Sequence, residues 1–324
     1  MILGHDKAVG EFDSAWKAGT LHHAWLLAGP KGVGKASFAR AAATRVLADA
    51  AGPPVDLPAL ETPGEHPTAR LVEAGSHPDM RWLERLENPK TGALARNITV
   101  DQVRGLAELF DLTPSMSPWR AVVIDAADDL EKSAANALLK MLEEPPANCV
   151  FLLVSHASGR LLPTIRSRCR LLSFQPLGDD VMASILETQM PSLAAPERAR
   201  IIAQAGGSVG RALAFAALDL AWLQDAAVKI LRDGDPTNAR RSDLAIELGR
   251  KGAAERYAAF LDMVPSLIAR QARGLSGQPL ERALDAYAQS RELAALAPRL
   301  SLDPASTVFQ LGGILASAAA RPVP

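Results

Sequence analysis

Gly29-Pro30-Lys31-Gly32-Val33-Gly34-Lys35-Ala36 is the stretch that decides the fold. It follows the phosphate-loop pattern G-x-x-x-x-G-K-[ST] up to its last position, where a methyl group stands in place of a hydroxyl. In that pattern backbone N–H groups surround the phosphates, the lysine meets the β- and γ-phosphates, and the hydroxyl ligates Mg²⁺. Upstream, residues 23–28 are a short apolar run that reads as a buried strand. Downstream, residues 37–47 are helical by propensity. Strand, glycine loop and helix together aim a helix N-terminus at an anion. Gly29, Gly32, Val33, Gly34, Lys35 and Ala36 are therefore candidate nucleotide-binding residues. Whether a nucleotide is still held tightly is left open at this point.

A chain of 324 residues is too long for one ordinary core, so two or three domains are expected. The formal net charge of −1 says nothing for nucleic acid, so any such contact has to be a local patch or a property of an assembly. Cys149 and Cys169 are the only cysteines, which excludes a disulfide scaffold and a Cys₄ or Cys₃His zinc site. No basic-then-apolar leader is visible, and no uncharged apolar run approaches the roughly 18 residues of a membrane helix. These features together predict a soluble, cytoplasmic protein with no membrane contact.

Residues 1–174 alternate helical and strand-like segments, the pattern of a parallel α/β sheet. Residues 52–92 are rich in Pro, Gly and Glu and read as an insertion or long surface loop. A helix opens near residue 99 with Thr99 or Asp101 as cap. A buried strand over residues 119–125 ends in Asp125, and a helix over 133–144 is stopped by Pro145-Pro146. The next buried strand, residues 150–155, ends in Ser155. From residue 175 the strands vanish. Residues 175–220 form a small helical unit broken at Gly206-Gly207-Ser208, and residues 221–324 are all helical. The predicted architecture is an α/β P-loop domain, a helical lid and an all-α C-terminal domain.

In P-loop ATPases the strand beside the loop ends in an aspartate that holds Mg²⁺, which is the place of Asp125. A glutamate that polarises the attacking water commonly follows; here the residue is Ala126. Asp128 and Asp129 read as a solvated helix N-terminus, where acids are favoured anyway. Ser37 could replace the hydroxyl missing at Ala36 only with rearrangement, because one helical step turns a side chain by about 100°. Losing a positioned base costs about 10²–10⁴-fold in rate, so a poor or dead ATPase is expected. His22-His23 invites a metal reading, but adjacent strand residues point to opposite faces, which argues against one.

Three further stretches carry a resemblance: Ala134-Ala135-Asn136-Ala137-Leu138-Leu139-Lys140-Met141-Leu142-Glu143-Glu144-Pro145-Pro146, then Phe151-Leu152-Leu153-Val154-Ser155, then Leu162-Pro163-Thr164-Ile165-Arg166-Ser167-Arg168-Cys169. With the loop, they make the first two-thirds of the chain similar to the clamp-loader branch of the AAA+ proteins. The resemblance implies a RecA-like parallel sheet, a lid and a C-terminal collar used for oligomerisation. It implies that Arg168 is an arginine finger, offered in trans to ATP on a neighbouring subunit, and that Ser155 matches the residue that senses the γ-phosphate. The partners it implies are the tau/gamma and delta subunits of a DNA polymerase III loader, with the beta sliding clamp and primed DNA met through the assembly.

The chain departs from the family in two places. The lid arginine of ATP-binding relatives is replaced by Gly210, with Arg211 one position late. The four cysteines of the zinc module that many relatives carry are missing, and His66 and His77 are too sparse to replace them, so no zinc is expected. The loop leaves room for ATP or ADP held without efficient hydrolysis, with Mg²⁺ only alongside a nucleotide. The alternative reading is an active motor of the tau/gamma type, which a Ser/Thr at position 36 and a Glu at 126 would have supported.

Overall fold

A computed structural model of the chain describes residues 2–53, 55–87, 94–218 and 220–319. Residues 54 and 88–92 of the predicted insertion, and residues 1, 93, 219 and 320–324 of the predicted domains, lie outside them. The chain divides into two compact units, residues 1–210 and 211–324.

The first unit contains α1 (Asp6–Lys17), β1 (Ala24–Ala28), α2 (Lys35–Ala51), α3 (Pro67–Glu73), β2 (Met80–Leu83), α4 (Val100–Arg104) and α5 (Leu106–Asp111). It continues with β3 (Arg120–Asp125), α6 (Lys132–Glu143), β4 (Cys149–Ser155), α7 (Pro163–Arg166), β5 (Arg170–Ser173), α8 (Asp179–Gln189) and α9 (Ala195–Ala205). The five strands form one sheet in the order β2-β3-β4-β1-β5, with every pairing parallel. The strands are near-continuous apolar runs because both faces of a parallel sheet are covered. Trp25, Leu27, Val123 and Leu152 face α1 and α2 with Phe12, Phe38 and Phe174. Leu26, Ile124, Phe151 and Leu153 face the other way, against Val103, Leu106, Leu138 and Ile165. Ala28 is in register with Ser155, and Asp125 with Val154, so the ends of β1, β3 and β4 form one rim of the sheet.

Thr99 caps α4 in a capping box with Gln102. The predicted insertion is only partly a loop, since α3 and β2 both fall inside it. Pro67 stands at the first turn of α3, where a missing N–H costs nothing, and the His66 side chain accepts from Thr68 N at that end. Met80 and Leu83 are buried, and β2 pairs only with β3, at one edge of the sheet.

A helix α10 (Val209–Leu218) begins in the first unit, and the division falls within it. The second unit continues with α11 (Ala221–Asp233), α12 (Ala239–Leu248), α13 (Ala254–Ala272), α14 (Gly277–Leu300) and α15 (Pro304–Ser317). Val308, Leu311 and Leu315 of α15 are buried, and α15 packs on α11, α12 and α14. Among the described residues no helix is long and apolar enough to cross a membrane.

Candidate nucleotide site and arginine finger

The loop between β1 and α2 is shaped by its glycines. A Cβ on Gly29 would lie 2.2 Å from the Phe174 carbonyl oxygen, and one on Gly32 (φ +78°) would lie 2.3 Å from Ser208 Oγ. Gly34 precedes α2 with φ 106°, a left-handed conformation that L side chains rarely adopt. Val33 is buried, and its carbonyl accepts a bond from His5 Nε2 at 2.7 Å. His5 also stacks edge-on against Phe174 at 4.7 Å. Pattern reading missed this support because it lies 28 residues from its partner.

Lys35 is buried and turned back on its own loop, donating to the carbonyls of Gly29 (2.7 Å) and Pro30 (2.5 Å). Burial pushes its pKa down to about 8, against the opposing pull of Asp125 and Asp128. Folding therefore expels a proton from Lys35 between about pH 8 and the ordinary 10.5. The cost of burying its charge is fully present below about pH 8 and disappears as pH rises through that window. Wild type is expected to gain stability relative to Lys35→Met across this window, by at most about 3 kcal/mol. Urea unfolding of both proteins at several pH values checks this, and parallel curves would refute it.

Asp125 closes β3 on the wall of a cavity of about 680 Å³, which Ala36, Ser37, Arg40, Trp82 and Glu84 also line. Burial, then the nearby Glu84 carboxylate, raises the Asp125 pKa, with Lys35 opposing. Ser155 is fully buried and its hydroxyl is already committed, donating to Asp128 Oδ1 at 2.9 Å.

Asp128 is not a solvated helix end. It also accepts from the backbone N–H groups of His156 (2.5 Å) and Ala157 (3.2 Å), fastening the end of β4 to the turn after β3. Asp129 instead pairs with Arg85 at 3.1 Å, and burial raises its pKa. Asp128→Ala strands one hydroxyl and two amides, and a loss of about 2–3 kcal/mol is expected, with Asp128→Asn costing roughly half. Chemical denaturation measures both; a loss below about 0.5 kcal/mol, the range of ordinary surface changes, would restore the solvated reading.

The turn before α10 is tied onto the loop. Ser208 Oγ donates to the Lys31 carbonyl at 3.1 Å, and Gly210 N donates to the Gly32 carbonyl at 2.9 Å. A Cβ at Gly210 would come within 3.1 Å of Gly32 Cα, a tight contact that a side chain could make only if the loop gave way by a few tenths of an ångström. Arg211 interacts with Asp262 and Arg270 of its own unit, and burial lowers its pKa.

The structure thus brings Gly29, Gly32, Val33, Gly34, Lys35, Ala36, Asp125 and Ser155 to one rim, and leaves Arg168 elsewhere. Arg168 stands just before β5, whose Arg170 is in register with Trp25 near the start of β1. It therefore lies at the opposite end of the sheet from Gly29, on the order of 15 Å away at about 3.3 Å per strand residue. Its Nη1 donates to the Thr164 carbonyl (3.0 Å), and its Nη2 pairs with Glu143 Oε1 (2.8 Å). Burial raises the Cys169 thiol to about 12, so it is a packing residue and no thiolate.

His22 and His23 precede β1 rather than lie in it, and their rings stack 4.3 Å apart, so the expectation of opposite faces fails. His22 is bonded through Nδ1 to Ala24, and His23 contacts the Leu142 carbonyl at 3.2 Å. Among the described residues no three His, Cys, Asp or Glu side chains gather as a metal site.

A parallel sheet of this strand order, with a P-loop after β1 and an aspartate ending β3, defines an AAA+ P-loop protein. The family model described as DNA polymerase III, delta subunit, matches residues 4–178, more than half of the chain. The chain belongs to this family. It is 37% identical to DNA polymerase III subunit delta' of Pseudomonas aeruginosa over 186 residues, 57% of this chain and 53% of that one. The delta' subunit of Bacillus subtilis is 32% identical over 60% of this chain and 53% of its own length. Subunit tau of the same organism is 30% identical over 54% of this chain and 28% of its own. The chain spans about half the length of the curated delta' relatives it matches. A solved gamma subunit-related protein of Thermotoga maritima aligns with 95% of this chain and 98% of its own, at TM-score 0.42 and 15% identity. The clamp-loader resemblance carried by the motifs is thus a family membership, with delta' subunits among its relatives.

Proposed function

We propose that this chain is a non-hydrolysing, or very weakly hydrolysing, subunit of a DNA polymerase III clamp loader. It donates Arg168 in trans to ATP on a neighbouring tau/gamma-type subunit and takes part in loading the beta clamp on primed DNA. The observation that carries this is the separation between Arg168 and the chain's own loop, which exceeds the reach of one side chain. A guanidinium so placed cannot reach phosphates held on this chain's own loop, which supports a role toward another chain's.

The residues at the chain's own loop do not fit a hydrolytic Mg²⁺–ATP site. Ala36 supplies no metal ligand, Ala126 no base, Ser155 is bonded to Asp128, and Lys35 is bonded to its own loop. Any ATP or ADP held there is a structural ligand, with Mg²⁺ only alongside it. On this reading residues 175–220 act as lid and 221–324 as the collar that meets the tau/gamma and delta neighbours.

The test adds this chain to its motor-type partner subunits and measures ATP hydrolysis with primed DNA and clamp. The mixture is expected to exceed the partners alone, while the isolated chain turns over far below about 1 s⁻¹, the low end for active enzymes. No increment on mixing, or brisk turnover by the chain alone, would sink the reading.

A further inference from the structure

We infer that Glu143 is a positioning residue for the Arg168 guanidinium; the inference rests on the trans-acting role proposed above. Arg168 follows a helix of only four residues, Pro163–Arg166, and its side chain is about one-third exposed (35%). An arginine in that setting samples many rotamers, and ordering it at each encounter would weaken whatever it does. Two contacts remove that freedom. The Thr164 carbonyl accepts from Nη1, and Glu143 Oε1 takes Nη2 at 2.8 Å. The planar guanidinium is thereby held from two sides while the side chain stays about one-third exposed.

Glu143 is itself well placed to do this. It is the last residue of α6, whose Ala134, Ala135, Leu138 and Leu142 are buried against the sheet, so the carboxylate is carried by a fixed element. Glu143 is 49% exposed, which keeps the pair weak enough for a polyphosphate to compete for the same guanidinium. A carboxylate buried with the arginine would hold it back. One left at the surface orients it and yields.

The test uses the complete loader. For Glu143→Gln, the ATP hydrolysis added by this chain is expected to fall about fivefold in kcat with KM for ATP unchanged. The melting temperature of the isolated variant should stay within about 2 °C of wild type. A kcat within twofold of wild type, in a preparation where Arg168→Ala has lost the increment, overturns the role of Glu143 and leaves the finger standing. An unchanged increment with Arg168→Ala overturns the finger itself. A fall in kcat accompanied by a lower melting temperature, and repaired by cooling, would mark Glu143 as a structural residue and also overturn the inference.

Discussion

On the role proposed for it, replacing Arg168 with alanine is expected to abolish any ATP hydrolysis that this chain adds to partner subunits, an effect of about 10³-fold or more. The size follows from the chemistry. Phosphoryl transfer spreads negative charge over the equatorial oxygens, and a guanidinium supplied from outside stabilises that charge in the transition state. Arg168→Lys should recover only a small part of it, because an ammonium lacks the planar fork that meets two oxygens at once. Folding is not at stake. Arg168 is one-third exposed and its pair with Glu143 is a surface contact, worth at most about 1 kcal/mol. A melting curve that overlays wild type therefore separates loss of the finger from loss of structure. An intact increment with Arg168→Ala would remove the basis of the proposed function, since no other cation of the S-R-C segment is held the same way. Arg170, one of the two flanking arginines, is bonded to Glu11 and lies 5.0 Å from the centre of the Trp25 ring.

The features legible in the sequence were those carried by short-range pattern. The apolar runs over residues 23–28, 119–125 and 150–155 became β1, β3 and β4, because a strand covered on both faces must be apolar at every position. The loop was legible for a similar reason, since its chemistry depends on consecutive residues. What stayed hidden were bonds between segments far apart in the chain. Asp128 looked like a helix-end acid until its partners at Ser155, His156 and Ala157 appeared, 27–29 residues away. The same holds for His5 on Val33 and for Ser208 on Lys31, the second separated by 177 residues. The stacking of His22 on His23 escapes the strand rule because both residues lie just before β1 begins at Ala24. Glycine explains the position that sequence could flag only as a departure. Gly210 was visible as a missing arginine, whereas its close approach to Gly32 shows what the small residue permits.

Arg45→Met is expected to cost about 3 kcal/mol of stability and to loosen residues 55–61 selectively. The only two cysteines lie elsewhere in the chain, and an arginine occupies the centre of this segment. Arg45 is 5% exposed, and its Nε donates to Asp49 Oδ2 at 2.7 Å. Nη1 donates to the carbonyls of Leu57 (2.9 Å) and Glu61 (2.8 Å), and Nη2 to that of Val55 (3.1 Å). Asp49 is held in turn by Trp16 Nε1 at 2.8 Å. One guanidinium therefore gathers three carbonyls of a segment with few hydrophobic anchors; Leu60 is buried, but Leu57 is exposed. Methionine keeps much of the volume and none of the donors, so Asp49 and the three carbonyls lose their partner together. The cost lies at the low end of the range for a buried pair because Asp49 retains some contact with water (21% exposed). Asp49→Asn should cost about 1 kcal/mol, since the amide oxygen still accepts from Arg45 and Trp16. Hydrogen exchange resolves the local part: amides of residues 55–61 should lose protection in Arg45→Met while those of β3 and β4 track global stability. If protection falls equally everywhere, or the loss stays under 1 kcal/mol, the segment is held by its packing and the arginine only decorates it.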